Sequence, residues 1–303
     1  MEQKNLLLRS VLSVPGNREK MIAKAKDLAA DMIMLDLEDS VPLQEKTQAR
    51  SMLAQVAQDF PWGNRVRGLR INSMRSPLAL RDVLEVVGSV PGILQVLVVP
   101  KVEQAWEVQA LDWFLGQLEA EAGLEDRISL HACIETAKGL EQVREIAVSS
   151  SRLQALVFGV ADFAASLNIS PRGLSGHGEK EDAYPGHRWH YALFRIAVVA
   201  RAHGLQVLDA PFGNIHDKQG LLRSCQLAAE LGLDGKWVIH PEQIELANQA
   251  FTPDDEQIHQ ARQIVEAWEQ GQGSLALEGS MIDQASLRLA WMTLEKLKLI
   301  QGG

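Results

Sequence analysis

The chain has 303 residues, 46% hydrophobic and 23% charged, with a net charge of −9. That composition excludes a disordered polypeptide and leaves enough chain to bury a sizeable core. The acidic balance, with no cluster of Lys and Arg, excludes a nucleic-acid binder, because phosphate recognition needs a basic surface.

An anionic ligand would therefore have to be held by a local arrangement of charges. The two cysteines are Cys133, inside an apolar run, and Cys225, so a disulfide framework is not expected and a reducing compartment fits. The first residues carry an acid and lead into no long apolar stretch, which predicts no signal peptide. No segment reaches the roughly 18 consecutive apolar residues of a membrane span. The expected location is the cytoplasm.

Apolar, β-branched runs of strand length recur at 6–14, 32–37, 66–71, 94–99, 128–134, 153–160, 205–208 and 236–239, separated by stretches with helical spacing. Runs apolar on both faces that alternate with helices predict parallel strands covered by helices. Eight such units are the number that closes an α/β (β/α)8 TIM barrel, which routinely uses about 250 residues as one domain. The boundaries expected on this basis are a barrel catalytic domain over 1–270 and a C-terminal lid or oligomerisation segment over 271–303. The link Gly271-Gln-Gly-Ser divides them, and the tail is surplus to a closed barrel. A second irregular stretch, 168–190, is polar and long enough to suggest a functional loop.

The residues that terminate each run are more informative than the run itself. The ends read Pro15-Gly-Asn-Arg, Asp36-Leu-Glu-Asp, Arg70-Ile-Asn, Pro100-Lys, Glu135-Thr, Asp162, Asp209-Ala-Pro and His240-Pro. In a barrel these ends converge on the mouth where active sites of the fold are built. Counted there, Arg70 and Lys101 stand against Asp36, Glu38, Asp39, Glu135, Asp162 and Asp209. Carboxylates so crowded need a compensating cation. Glu135 and Asp162, one strand-helix-strand unit apart, read as two ligands of a divalent metal, and an oxygen-only set points to a hard ion such as Mg²⁺ or Mn²⁺. The alternative is that each caps the following helix or pairs with Arg70 or Lys101.

Asp36 and Glu38 share one face of the second strand, since side chains alternate with period two. There they could orient Arg70 or Lys101 from behind, with Asp39 beside them. Arg70 could grip a carboxylate or a developing enolate oxygen through its planar fork, or close an ion pair with Asp36. Arg18 and Lys24 come after a Gly-containing turn into the first helix, a setting that suits phosphate, though the same lysines could be a solvated helix face. The histidines show no metal-ligand spacing, and only His240 is placed for the mouth; the others, His187 among them, read as structural.

With these strand ends in view, the motifs Arg9-Ser-Val-Leu-Ser-Val-Pro-Gly, Leu35-Asp-Leu-Glu-Asp-Ser-Val, Arg70-Ile-Asn, Pro100-Lys-Val, Ile134-Glu-Thr-Ala-Lys-Gly, Phe158-Gly-Val-Ala-Asp-Phe, Gly235-Lys-Trp-Val-Ile-His-Pro and Gly279-Ser-Met-Ile-Asp resemble the citrate lyase β-subunit-like CoA-ester lyases of the HpcH/HpaI aldolase superfamily. Trp189-His-Tyr-Ala-Leu-Phe-Arg, Asp209-Ala-Pro-Phe-Gly and Ile244-Glu-Leu-Ala-Asn are most similar to malyl-CoA, β-methylmalyl-CoA and citramalyl-CoA lyases. The resemblance runs in order through nearly the whole chain.

It implies Mg²⁺ on Glu135 and Asp162, Arg70 near the reacting carbonyl, and a CoA thioester held by residues matching Ser13, Arg18, Lys24, Arg70, Ala161, Asp162, Ile239 and His240. It also implies a homotrimer or hexamer in which Asp283 is supplied in trans as acid/base. Ser13 stands where malyl-CoA lyases carry a bulky aromatic. The reaction implied is Mg²⁺-dependent carbon–carbon cleavage of a 3-hydroxyacyl-CoA to acetyl-CoA or propionyl-CoA plus glyoxylate or pyruvate. The alternatives are a malyl-CoA thioesterase or a β subunit working on a carrier-bound thioester.

Overall fold

The computed structural model describes residues 5–169, 188–270, 276–277 and 280–302. Most of the polar stretch 168–190, including His187, and most of the link after Gln270 lie outside the described residues. Eight parallel strands close into a barrel in sequence order. They are β1 (Ser10–Pro15), β2 (Met32–Asp36), β3 (Val66–Arg70), β4 (Val96–Val99), β5 (Ser129–Ile134), β6 (Leu153–Phe158), β7 (Gln206–Asp209) and β8 (Gly235–Val238). The helices, in order, are α1 (Glu19–Ala25), α2 (Lys46–Asp59), α3 (Leu78–Glu85), α4 (Ala105–Ala122), α5 (Ala137–Glu141), α6 (Val143–Ala147), α7 (Val160–Ser166), α8 (His190–Ala202), α9 (Lys218–Glu230), α10 (Ile244–Ala250), α11 (Asp255–Glu269) and α12 (Gln284–Gly302). Each of the eight expected runs contains or overlaps its strand.

Alternation sorts the strand residues into two cores. Val11, Met32, Met34, Val66, Val96, Val98, Cys133, Val157, Leu208 and Trp237 fill the barrel interior together with Leu8. The intervening residues, such as Leu12, Ile33, Leu35, Leu69, Leu97 and Val238, are equally buried on the opposite face, under the helices. Both faces are therefore apolar, as a parallel sheet requires. The lower end of the barrel is tied to the N-terminal segment, where the Gln206 side chain accepts from the Leu6 backbone N–H at 3.1 Å and donates to the Leu6 carbonyl at 2.9 Å. Gly235 is needed there, since a Cβ would stand 1.8 Å from the Leu8 carbonyl oxygen.

The same alternation removes one residue from the expected mouth. Asp209 pairs in register with Lys236, and their neighbours Leu208 and Trp237 point inward, so Asp209 and Lys236 point outward. Both are wholly buried and joined by an ion pair, with the Lys236 ammonium also 3.0 Å from Ser224 Oγ on α9. Asp209 is thus a fixture between sheet and helix and does not belong to the charges at the mouth.

Residues 1–248 and 249–303 form two compact units. Within the second, α11 begins with a reciprocal cap in which Asp254 accepts from the Gln257 N–H and the Gln257 side chain accepts from the Asp254 N–H. The helix packs along α12, and β9 (Ala276–Leu277) and β10 (Ser280–Met281) form an antiparallel pair between them. The break between the units therefore falls before α11, ahead of the expected boundary at 270. No helix among the described residues is long and apolar enough to cross a membrane.

Candidate active site

The inward-facing positions at the top of β2, β3 and β5 end in Asp36, Arg70 and, one step beyond β5, Glu135. Arg70 is gripped from two sides. Its Nε and Nη2 donate to Asp36 Oδ1 and Oδ2 at 2.7 and 2.6 Å, a bidentate fork, while Nη1 lies 3.1 Å from Glu38 Oε2. Its guanidinium carbon also sits 5.4 Å from the centre of the Trp237 ring, close enough for a cation–π contact.

Burial alone would raise the Asp36 carboxyl, but the Arg70 charge and hydrogen bonds outweigh it and hold Asp36 below its ordinary value. Burial would likewise lower Arg70, and Asp36 and Glu38 more than reverse that. Arg70 is thus a permanent cation fixed in orientation. Three of its donors are engaged, and a guanidinium has five.

Lys101 is the second cation. Its ammonium bonds to Glu38, lies 3.0 Å from Asp39 Oδ2 and 3.7 Å from Asp162 Oδ2. Its backbone is left-handed, with φ at 54°, a conformation that costs a side-chain-bearing residue roughly 1–2 kcal/mol. That turn aims the Lys101 backbone N–H at Glu135 Oε1, 2.6 Å away, while the next N–H returns to the Cys133 carbonyl. A strained residue so used is typical of a functional site.

Glu135 is 5% exposed, and burial together with the nearby Asp162 charge raises its carboxyl from 4.5 to about 7. Gly159 makes room for it: a Cβ there would stand 2.2 Å from Glu135 Oε2 and 2.4 Å from its Cβ. β6 ends at Phe158, two residues earlier than expected, so Asp162 projects from the first turn of α7 and not from a strand end. Its side chain is 40% exposed.

Glu135 and Asp162 therefore repel one another above a strand-end cluster in which, among the described residues, Asp36, Glu38, Asp39, Glu135 and Asp162 outnumber the cations Arg70 and Lys101 at the mouth and Lys46 behind it. An all-oxygen pair with surplus negative charge, one member raised toward neutrality by burial and by the other's charge, fits a hard divalent ion. Two protein carboxylates suffice for Mg²⁺, which keeps several sites for water and substrate oxygens. No group of three or more such ligands occurs among the described residues.

The other expected residues fall around this centre in different states. Ser13 is half-buried on the inward face of β1. Ala161 is exposed in the first turn of α7. Arg18, just before α1, and Lys24, in its last turn, are exposed. Ile239 is exposed beyond β8, but its backbone N–H is taken by Gln243 Oε1 at 2.9 Å. His240 Nδ1 accepts from the Glu242 N–H at 3.3 Å, so that nitrogen caps a turn.

Asp283 lies in the second unit. It is exposed and caps α12, its Oδ1 accepting from the Ser286 N–H at 2.8 Å and hydroxyl at 2.9 Å, bonds that hold its carboxyl low. Sequence reading did not single out Trp237 or Gly159, whose roles depend on what faces them across the barrel. It also missed Lys46, a buried ammonium behind the Glu38 loop.

Comparison with known proteins supplies the family. The chain is 39% identical over 296 residues to the L-malyl-CoA/β-methylmalyl-CoA lyase of Rhodobacter capsulatus, covering 94% of this chain and 92% of that one. It is 34% identical to the (3S)-malyl-CoA thioesterase of Cereibacter sphaeroides, covering 96% and 95%. Among solved structures it is similar to CitE from Mycobacterium tuberculosis, crystallised with magnesium, acetoacetate and coenzyme A, with a TM-score of 0.75, 29% identity and coverage of 95% and 97%. The profile of the HpcH/HpaI aldolase/citrate lyase family matches residues 9–241, and the chain belongs to that family.

Proposed function

We propose that the protein is a Mg²⁺-dependent CoA-ester lyase that cleaves a 3-hydroxyacyl-CoA such as L-malyl-CoA, β-methylmalyl-CoA or citramalyl-CoA. The products are acetyl-CoA or propionyl-CoA and glyoxylate or pyruvate. The observation that carries the reading is the fixed Arg70 cation beside the Glu135–Asp162 pair, at the mouth of a family barrel whose relatives act on malyl-CoA. Glu135 and Asp162 would hold Mg²⁺. When bound, the ion supplies Lewis acidity toward the oxygens of an α-keto acid.

The remaining roles belong to side chains. Cleavage removes the proton of the 3-hydroxyl, breaks the bond between C2 and C3, and leaves the electron pair as a thioester enolate that is protonated at C2. Arg70, already oriented by Asp36 and Glu38, has donors left for the developing enolate oxygen, and a preorganised donor stabilises such charge without reorganising. Asp283, a carboxylate held in place by Ser286, would take a proton in one direction and return it in the other. We place it in the site of a neighbouring subunit of a homotrimer or hexamer. Ser13, Arg18, Lys24, Ala161, Ile239 and His240 would border the CoA thioester, and a cytoplasmic location fits the two free cysteines.

The test is incubation of the purified protein with each of the three CoA esters and Mg²⁺, scoring keto acid and free CoA. Glyoxylate or pyruvate with an acyl-CoA supports the lyase. Free malate and CoA without keto acid would establish a thioesterase instead, a reading favoured by the thioesterase relative at 34% identity.

A further inference from the structure

Behind the mouth lies a buried polar chain that the reaction does not use directly. Lys46, the first residue of α2, is 8% exposed, and its ammonium makes three short hydrogen bonds: to the carbonyl oxygens of Leu37 and Glu38, both at 2.8 Å, and to Asn72 Oδ1 at 2.6 Å. Asn72, just past β3, donates from its backbone and side chain to Asp82 Oδ2 at 2.7 and 2.6 Å. Asp82 accepts from Arg50 Nη1 at 3.2 Å, and Arg50 Nε donates to Glu85 at 2.6 Å.

The inner end of this chain is the informative one. An ammonium has three donors, and all three are spent on the segments that leave β2 and β3. One accepting carbonyl is that of Glu38 itself, whose carboxylate contacts both Arg70 and Lys101. The Glu38 N–H donates to Asp36 Oδ1 at 2.9 Å and the Glu38 carbonyl also accepts from the Val41 N–H at 3.1 Å; the Lys46 ammonium adds a bond to each of the two carbonyls that flank the Glu38 Cα. Fixing the peptide on both sides of the Glu38 Cα fixes the direction of its side chain. Glu38, which among the described residues alone is ion-paired to both mouth cations, is thereby aimed from behind.

We propose that Lys46 is a positioning residue for catalysis, holding the Glu38 peptide so that Glu38 keeps Arg70 and Lys101 in their working orientation. The proposal rests on the reading of Arg70, Glu135 and Asp162 as the reactive centre. A displacement of about 1 Å in a positioned group can cost roughly 100-fold in rate. Lys46 touches neither the metal pair nor the residues expected to border CoA, so its loss acts on turnover and not on CoA-ester binding.

The experiment compares Lys46→Met with Arg50→Met by thermal unfolding and by steady-state lyase kinetics. Both remove a buried cation from the same chain, but the hydrogen bonds of Arg50 among the described residues go to Thr47, Asp82 and Glu85, away from Glu38. Both variants should unfold earlier than the parent. Only Lys46→Met should lose kcat, by roughly 100-fold, with KM for the CoA ester within about twofold. Lys46→Arg, which keeps a cation able to reach a carbonyl, should recover part of kcat. Equal kcat in Lys46→Met and Arg50→Met overturns the proposal, as does a loss confined to KM. If Lys46→Met does not accumulate folded, Lys46→Gln is judged by the same criteria. A Glu135→Gln control separates two failures: its full activity overturns the reading of the site, whereas its inactivity beside a fully active Lys46→Met overturns the role of Lys46 alone.

Discussion

Glu135 lies buried with Asp162 close by, and burial and that second charge raise its carboxyl from 4.5 to about 7. This sets the sign of the effect on stability. Between these values the unfolded chain ionises while the folded one keeps its proton, so destabilisation grows as pH rises from 4.5 and is complete above 7. In the metal-free protein Glu135→Gln should therefore stabilise by about 3 kcal/mol at pH 8 and by little at pH 4.5. Scanning calorimetry with chelator at the two pH values checks it; an equal gap at both would mean that Glu135 is not strained by charge. Mg²⁺ should raise the unfolding temperature of the parent at pH 8 and leave that of Glu135→Gln unchanged. Gly159→Ala tests the cradle from the other side. Its Cβ would overlap Glu135 at 2.2 Å, so metal affinity and activity should both fall sharply, with a stability loss of about 1–3 kcal/mol. A variant that binds Mg²⁺ normally, measured by calorimetric titration, would show that Glu135 is not where the ion sits.

At the level of elements, apolar runs ending in single charged residues were enough to locate Glu135 and Arg70, because in a parallel strand buried on both faces a charge away from the end needs a buried partner, as Lys236 has in Asp209. The same cue misassigned Asp209. Its outward direction depends on which of two neighbours, Leu208 or Asp209, faces inward, and a four-residue strand carries too short an alternation to decide that. Lys46 was illegible for a related reason: a lysine at the start of a helix looks the same in sequence whether solvated or folded under a loop. The Asp209–Lys236 pair yields its own prediction. Lys236→Met leaves the Asp209 charge buried without its cation and should cost about 3–5 kcal/mol. Adding Asp209→Leu removes the stranded charge and should recover much of that loss. The pair faces α9, so kcat per folded molecule should stay at the parent value in both variants. A urea titration alongside the lyase assay reads both quantities, and a drop in kcat would return Asp209 to the mouth.

Across the whole molecule, the strand count and order of the barrel were readable because every layer repeats one pattern, whereas the unit boundary at 248 was not. Packing of α11 on α12 sets it, and the sequence advertises only the Gly-containing link at 271. The barrel interior holds a buried histidine within its apolar pattern. His131 comes just after a register irregularity in β5, sits between Val98 and Ala155, and shares the inward face with Cys133. It is fully buried, and neither ring nitrogen has a hydrogen-bond partner among the described residues, so burial lowers its pKa from 6.5 to about 3. Here the linkage runs opposite to that of Glu135. Between pH 6.5 and 3 the unfolded chain binds a proton that the folded chain refuses, so stability is lost as pH falls through that window. By pH 5 the loss amounts to about 2 kcal/mol, at 1.36 kcal/mol per pH unit. Replacing His131 by Leu, of similar volume and without polar atoms, should be neutral or stabilising at pH 7, since no bond is broken. At pH 5 the variant should exceed the parent by a further 2 kcal/mol or so, because it no longer titrates. Subtracting one denaturation profile from the other cancels the carboxylates common to both proteins and leaves the histidine alone. A difference that does not change between pH 7 and 5 would mean that His131 is already protonated or solvated in the folded barrel.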